Sequence, residues 1–231
     1  MIYYFKKLFG KIRDSYRNYR RYNKYNRLTK LGLNPFIHIT SSDKKFTLKE
    51  ARKLLIKDHM FVPNVSGFYH NILERYWMNF GLGDKCLLVS ETKIVGEVFE
   101  SKYITTKFVT TDYYLELQPN PECDVVWDLC SSVIPDELKS FSSVINQATF
   151  EHIKDPVQAM INLVNVLETN GHLFIQTHTP AFYYHGYPRD YLRYFPDWFI
   201  DISQTLGNID LLELLCFDGH AFAVYKKKSV V

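Results

Sequence analysis

From Lys85 onward the chain alternates between short runs rich in β-branched and aromatic residues and longer runs with helical spacing. No other feature constrains the fold as much. Strands separated by helical segments need crossover connections, and crossovers give a parallel sheet with helices on its faces. The expected strands are CLLVS at 86–90, KFVTT at 107–111, DVVWDL at 124–129, SSVINQA at 142–148 and HLFIQTH at 172–178. Between the last two lies PVQAMINLVNVLE, with Val157, Met160, Ile161, Val164 and Leu167 on one helical face. Asp155 is placed to cap that helix, and Pro156 suits its first turn, where a missing N–H costs nothing. DWFIDISQTL reads as a further helix. NIDLLELLCF and HAFAVYKKK read as strands joined by Asp218-Gly219, a pair that favours a tight hairpin. A mostly parallel sheet thus closes on an antiparallel pair.

Residues 1–80 read as a helical extension before an α/β domain at 81–231. Thr47 and Glu50 have capping-box spacing at the head of TLKEARKLLIKDHM. A second helix, SGFYHNILERYWMNF, opens at Asn64 or Ser66 and ends at Gly81. Residues 1–30 form a third, with Tyr16, Tyr19, Tyr22 and Tyr25 beside a flank of Arg13, Arg17, Arg21 and Lys24. This arm carries ten Lys/Arg against Asp14, a charge of +9, so the overall +3 leaves −6 on the body. Such an arm can lie on an anionic membrane surface, bind nucleic-acid phosphates, or pack its tyrosines on the body. Of the two anionic partners, nucleic acid ranks lower.

A hydrophobic fraction of 46% supports one full core, and 23% charged residues without low-complexity tracts argue against disorder. No apolar run has the length of a membrane span. MIYYFKKLFGKIR lacks an apolar stretch before a small-residue cleavage site, so no signal peptide is read. Cys86, Cys123, Cys130 and Cys216 show no CxxC spacing and read as reduced. The expected setting is the cytoplasm, with peripheral membrane contact through the arm. No His/Asp/Glu spacing calls for a metal, and none is expected.

SSVINQATFEHIKDPVQAMINLVNVLETNGHLFIQTHTP combines an apolar strand, Glu151-His152, Asp155-Pro156 and the turn Leu167-Glu168-Thr169-Asn170-Gly171 before another strand. That order resembles the class I S-adenosylmethionine-dependent methyltransferases of the type 11 group, common in glycan biosynthesis, over about residues 85–228. The resemblance implies a Rossmann-like sheet with S-adenosylmethionine over the strand tips. It implies that Asp112 grips the ribose hydroxyls, that Asp128 and Leu129 read the adenine, and that Gln147 borders the cofactor. The family's glycine-rich loop is altered in CLLVSETKIVG: Ser90 stands for its first glycine, Leu88 for its acid, and Glu91 and Gly96 remain nearby as cofactor-binding candidates.

THTPAFYYHGYPRDYLRYF, after the last parallel strand, resembles the family's acceptor loop. The implied bases are His185 first and His152 second, with Asp190 orienting the histidine or acting as base itself. Tyr184, Tyr187, Arg189 and Arg193 would bind the acceptor. O-methylation of a sugar or glycan precursor is the leading expectation. A catalytically degenerate methyltransferase fold serving as a scaffold, or an RNA or protein methyltransferase, stands as the alternative.

Overall fold

The alternation produces the expected layers. The computed structural model describes residues 2–42, 45–57, 59–61, 68–113, 122–186 and 189–229. In chain order the elements are α1 (Ile2–Lys30), β1 (Ile37–Thr40), α2 (Leu48–Lys57), β2 (His59–Phe61), β3 (Phe68–His70), α3 (Asn71–Phe80), β4 (Lys85–Val89), α4 (Lys93–Lys102), β5 (Lys107–Asp112), β6 (Val125–Val126), β7 (Phe141–Gln147), a 3-10 turn at Phe150–His152, α5 (Pro156–Val166), β8 (Leu167–His178), α6 (Pro196–Leu206), β9 (Ile209–Phe217) and β10 (His220–Lys227). One sheet has the order β1-β9-β10-β8-β7-β4-β5-β6, and β2 pairs separately with β3. Neighbours from β8 through β6 are parallel. The β10–β8, β10–β9 and β1–β9 pairs are antiparallel.

Each face of the sheet buries its own apolar set. On one, Leu87, Val89, Val144 and Ile175 pack under Met160 and Leu163 of α5 and Phe199 and Ile202 of α6. On the other, Leu88, Ile145, Phe174 and Phe222 pack under Leu55 of α2, Trp77 of α3 and Phe99 of α4. The segment expected as a purely helical extension therefore supplies α2 and α3 to one layer and β1 to the sheet edge. IHIT is too short to announce a strand. Its place is fixed by pairing with β9 and by Glu213, whose carboxylate accepts His38 Nε2 at 2.7 Å and the Thr40 hydroxyl at 2.8 Å.

Local signals hold where caps are present. The Glu50 carboxylate accepts the Thr47 N–H at 2.8 Å, and Asp155 Oδ1 accepts the Gln158 N–H at 3.1 Å. Asp218 and Gly219 both have positive φ, 46° and 87°, as a two-residue hairpin demands. Several expectations need correction. The helix placed from residue 64 or 66 begins at Asn71, because 68–70 pair with β2; its proposed caps, Asn64 and Ser66, lie outside the described residues. The third strand shrinks from 124–129 to Val125–Val126, because Asp128 folds the following backbone into a turn. Val157 is exposed and Leu167 opens β8, so α5 buries Ala159, Met160, Leu163 and Val164 instead. The turn at 167–171 is an irregular start to β8, with Asn170 left-handed at φ 68°. Helix α4, which buries Val95 and Phe99 one turn apart, had no counterpart among the sequence-derived elements.

The basic arm is half docked. Tyr25 is buried and the Arg52 guanidinium lies over the Tyr22 ring at 4.6 Å, whereas Tyr16 and Tyr19 are exposed. Arg52 also grips Asp218 with two bonds of 2.6 and 2.9 Å, tying this end of α1 to the β9–β10 turn. No helix among the described residues is long and apolar enough to cross a membrane.

Candidate active site

From β4 the sheet grows in two directions, to β5 and β6 on one side and to β7 and β8 on the other. The connections leaving the tips of β4 and β7 therefore diverge. In open α/β sheets the crevice at such a switch point is the ligand site. Ser90, just past β4, has φ 59°, a left-handed conformation ordinarily left to glycine because a Cβ crowds the carbonyl. The Glu91 N–H donates to the Thr111 carbonyl at 3.1 Å, which folds the loop over the neighbouring strand. Asp112 ends β5 half-buried. Burial raises its carboxyl pKa, and the N–H of Tyr113, donated at 2.8 Å, offsets this only in part. Gln147 ends β7, its carbonyl accepting the Thr149 hydroxyl at 3.0 Å.

Below this rim, Thr111 and Asn146 flank Val89 in register. Both side chains are buried, and the Thr111 hydroxyl, the Asn146 amide and the Trp127 Nε1 have no hydrogen-bond partner. Buried polar groups are nearly always bonded, so orphans gathered at the strand tips fit a site for a polar ligand such as a nucleoside cofactor. Asp128 is less free than expected: its carboxylate accepts the Cys130 N–H at 2.8 Å, and the Leu129 carbonyl is taken by Asn162 at 2.8 Å. Gly96 needs reassignment. It is buried inside α4, where a Cβ would stand 3.0 Å from the Thr110 methyl, so it permits close helix–strand packing.

Beside the crevice, at the tips of β7 and β8, lies a cluster of three histidines around Glu151. The Glu151 side chain is fully buried. Its Oε2 accepts the Thr177 hydroxyl at 2.7 Å. Its Oε1 stands 2.6 Å from His178 Nδ1 and 3.8 Å from the Nε2 atoms of both His152 and His185. None of these nitrogens is aligned to donate, so Oε1 is a buried oxygen without a hydrogen bond. Burial alone would raise the Glu151 pKa, but His178 and Thr177 outweigh it and hold the carboxyl below its usual range. His178 stacks on Phe182 with ring centroids 3.6 Å apart.

The acceptor-type loop is stitched to this cluster. The N–H groups of Tyr191 and Leu192 donate to the Glu151 carbonyl, and that of Tyr194 to the His178 carbonyl. His152 Nδ1 contacts the Arg189 carbonyl at 2.5 Å. Asp190, expected to act as base or orienter, is clamped by both terminal nitrogens of Arg193 and by the His185 N–H at 2.8 Å. Burial would raise its pKa, but these donors pull it down to about 2, too low for a base. Arg193 also donates to the Tyr183 carbonyl at 2.9 Å, so Arg193 and Asp190 together staple the loop. His185 Nδ1 lies 3.3 Å from Asp190 Oδ2 but makes no hydrogen bond. Tyr184 and Arg189 are exposed on the loop; Tyr187 lies outside the described residues. Sequence spacing gave no metal motif, yet the fold gathers Glu151, His152 and His185 with potential ligand atoms all within 4.8 Å. Glu151 and His178, neither of them among the site residues expected from the sequence, complete the cluster. An open cleft of about 480 Å³ lined by Trp77, Met78 and Leu82 lies where β4 and β5 begin, at the opposite end of the strands from this chemistry.

No protein-family model matches the sequence, and no curated protein is similar to it. Solved structures are. A methyltransferase candidate from Bacillus halodurans superposes with a TM-score of 0.51 at 13% identity, covering 69% of this chain and 100% of that one. The YcgJ protein of Bacillus subtilis superposes with a TM-score of 0.50 at 8% identity, covering 70% and 100%. At such identities the likeness establishes the fold, which is that of the class I S-adenosylmethionine-dependent methyltransferases.

Proposed function

We propose that the protein is an S-adenosylmethionine-dependent methyltransferase that methylates a hydroxyl of a sugar or glycan precursor. The observation that carries the reading is Ser90. It takes a glycine's backbone conformation at the switch point, one strand from Asp112. A left-handed residue there lets the backbone come close to a ligand as a glycine would.

Bound at the crevice, S-adenosylmethionine supplies an activated methyl group. The two oxygens of Asp112 accept the ribose hydroxyls, the Ser90 backbone allows close approach, and Glu91 attracts the ammonium end. Asp128 and Leu129 border the base. Thr111 and Asn146 offer unpaired polar atoms beneath. The acceptor lies under the stapled loop, where Tyr183, Tyr184 and Tyr191 present flat faces with hydroxyl tips, a surface suited to sugar rings. Its oxygen is activated at the Glu151–His152–His185 cluster, at the tips of the adjoining strands. The basic, exposed turns of α1 suit an enzyme working at an anionic membrane surface, where lipid-linked acceptors reside.

Calorimetric titration with S-adenosylmethionine and S-adenosylhomocysteine tests the reading, wild type beside Asp112→Ala. Micromolar binding, weakened at least about tenfold by the loss of two charge-assisted hydrogen bonds, is the expected result. A folded protein that binds neither compound at millimolar concentration overturns it and leaves a repurposed scaffold.

A further inference from the structure

We propose that Glu151, His152 and His185 form a binding site for one divalent transition-metal ion. The case begins with an electrostatic mismatch. His152 Nδ1 faces the Arg189 carbonyl at 2.5 Å, and a carbonyl can only accept, so the proton of the neutral ring sits on Nδ1. His185 Nδ1 faces the Asp190 carboxylate at 3.3 Å, which likewise favours a proton on that nitrogen. Both rings therefore turn an Nε2 lone pair toward Glu151 Oε1, each 3.8 Å away. Three acceptor atoms converge on one small space, and His178 Nδ1, 2.6 Å from the buried carboxylate oxygen among them, is not aligned to donate to it. Two imidazole lone pairs turned toward a buried carboxylate oxygen favour a cation between them.

The surroundings are those of a metal site. Ligating histidines characteristically give their second nitrogen to a carbonyl or carboxylate, and ligating carboxylates are themselves hydrogen-bonded. Here the Arg189 carbonyl meets the His152 ring, the Asp190 carboxylate stands 3.3 Å from His185 Nδ1 without an aligned bond, and the Thr177 hydroxyl bonds Glu151. Donors about 2.1 Å from a tetrahedral ion stand about 3.4 Å apart, so side-chain rotations closing about an ångström would complete the shell. Two imidazoles and one carboxylate select first-row transition ions over magnesium or calcium, which want oxygen. Three protein ligands leave a position for water or substrate. On the methyltransferase reading, on which this use of the site rests, that position takes the acceptor hydroxyl and lowers its pKa. The released proton passes to solvent as the oxygen accepts the methyl group.

Protein stripped by a chelator and then freed of it would be titrated calorimetrically with zinc chloride, in the absence of cofactor. The series is wild type, His152→Ala, His185→Ala, the double variant, and Glu151→Gln, which keeps an oxygen for the Thr177 hydroxyl. Both histidines are partly exposed, and circular dichroism checks that each variant is folded. One zinc per chain is expected, unaffected by millimolar magnesium. Each single histidine variant should lose about a hundredfold or more in affinity, at or beyond the 10–100-fold typical of outer partners, and the double variant should bind none. Cobalt should give the visible absorption of a low-coordinate site in the wild type only. A wild type without that spectrum, or zinc binding unchanged in the folded double variant, overturns the site. The same samples titrated with S-adenosylhomocysteine separate the two claims. Cofactor binding without metal removes the metal site alone, and metal binding without cofactor removes the methyltransferase reading alone.

Discussion

Burial raises the carboxyl pKa of Asp112, and the sign of that shift has a consequence. A carboxylic acid whose folded pKa is raised contributes stability below its unfolded value, about 3.9, and that contribution is lost as pH rises through the folded value. At neutral pH ionised Asp112 is thus a cost to the free protein, one that ribose hydroxyls would offset. Asp112→Asn should therefore raise the melting temperature of the free protein near pH 7 while weakening S-adenosylhomocysteine. The gain should vanish as pH falls below about 4. Thermal scans across that range, paired with titrations, check both halves; a variant destabilised at neutral pH would remove the argument. Asp112 was singled out in the sequence through the family resemblance, which implies an acid at the end of the second parallel strand, and it does end β5. Glu151 was not. Its role depends on Thr177 and His178, which reach it only when β7 and β8 pair, and on a loop that folds back over both. Asp190 was expected as orienter or base and Arg193 as an acceptor ligand, but the fold reveals that each consumes the other's chemistry.

Elements with their own start and stop signals could be read directly, as the Asp155 cap with Pro156 and the Asp218-Gly219 turn illustrate. Elements that exist through pairing could not. Strand β1 owes its place to Glu213, whose side chain is 10% exposed and holds both His38 and Thr40. The Phe46 N–H in turn donates to His38 Nδ1 at 2.7 Å, which extends the clamp into the approach to α2. Glu213→Ala would leave two largely buried donors without an acceptor. It should cost about 2 kcal/mol, the scale on which leaving a buried hydrogen-bonding group unsatisfied is felt. Glu213→Gln, which keeps an acceptor oxygen, should cost less. Urea midpoints measure the loss, and faster amide exchange confined at first to Ile37–Thr40 would locate it at the sheet edge. Equal losses for the two variants would mean that the intact carboxylate, with both its oxygens, is what holds the clamp.

Between Tyr16 and Thr29, α1 is bound to the rest of the chain unequally, and that asymmetry can be measured. Tyr16 and Tyr19 are exposed. Tyr25 is buried, Tyr22 carries Arg52 on its face, and the Thr29 hydroxyl bonds both the Tyr25 carbonyl at 2.9 Å and that of Asn34 at 3.2 Å. Asn34 reaches Asp218 at 3.2 Å, so the end of the helix, the Arg52 side chain and the β9–β10 turn form one connected group. That turn lies at the same edge of the sheet as Glu151 and the loop, since the Thr179 N–H donates to the Gly219 carbonyl at 2.9 Å. Gly219 cannot carry a side chain there: its φ is 87° and a Cβ would come within 3.0 Å of the Phe182 N. Replacing Tyr16 and Tyr19 together with alanine should therefore leave the melting temperature and the affinity for S-adenosylhomocysteine unchanged. Replacing Tyr22 and Tyr25 together deletes a buried aromatic and the Arg52 cover, a loss on the order of 3 kcal/mol. For a chain of this size that corresponds to a fall in melting temperature of about 10 °C. The second pair of substitutions should also loosen the hairpin turn and, through Phe182, the loop stacked on His178. Calorimetric melting of the two double variants beside the wild type decides this. If both melt like the wild type, the Tyr22 and Tyr25 contacts are dispensable.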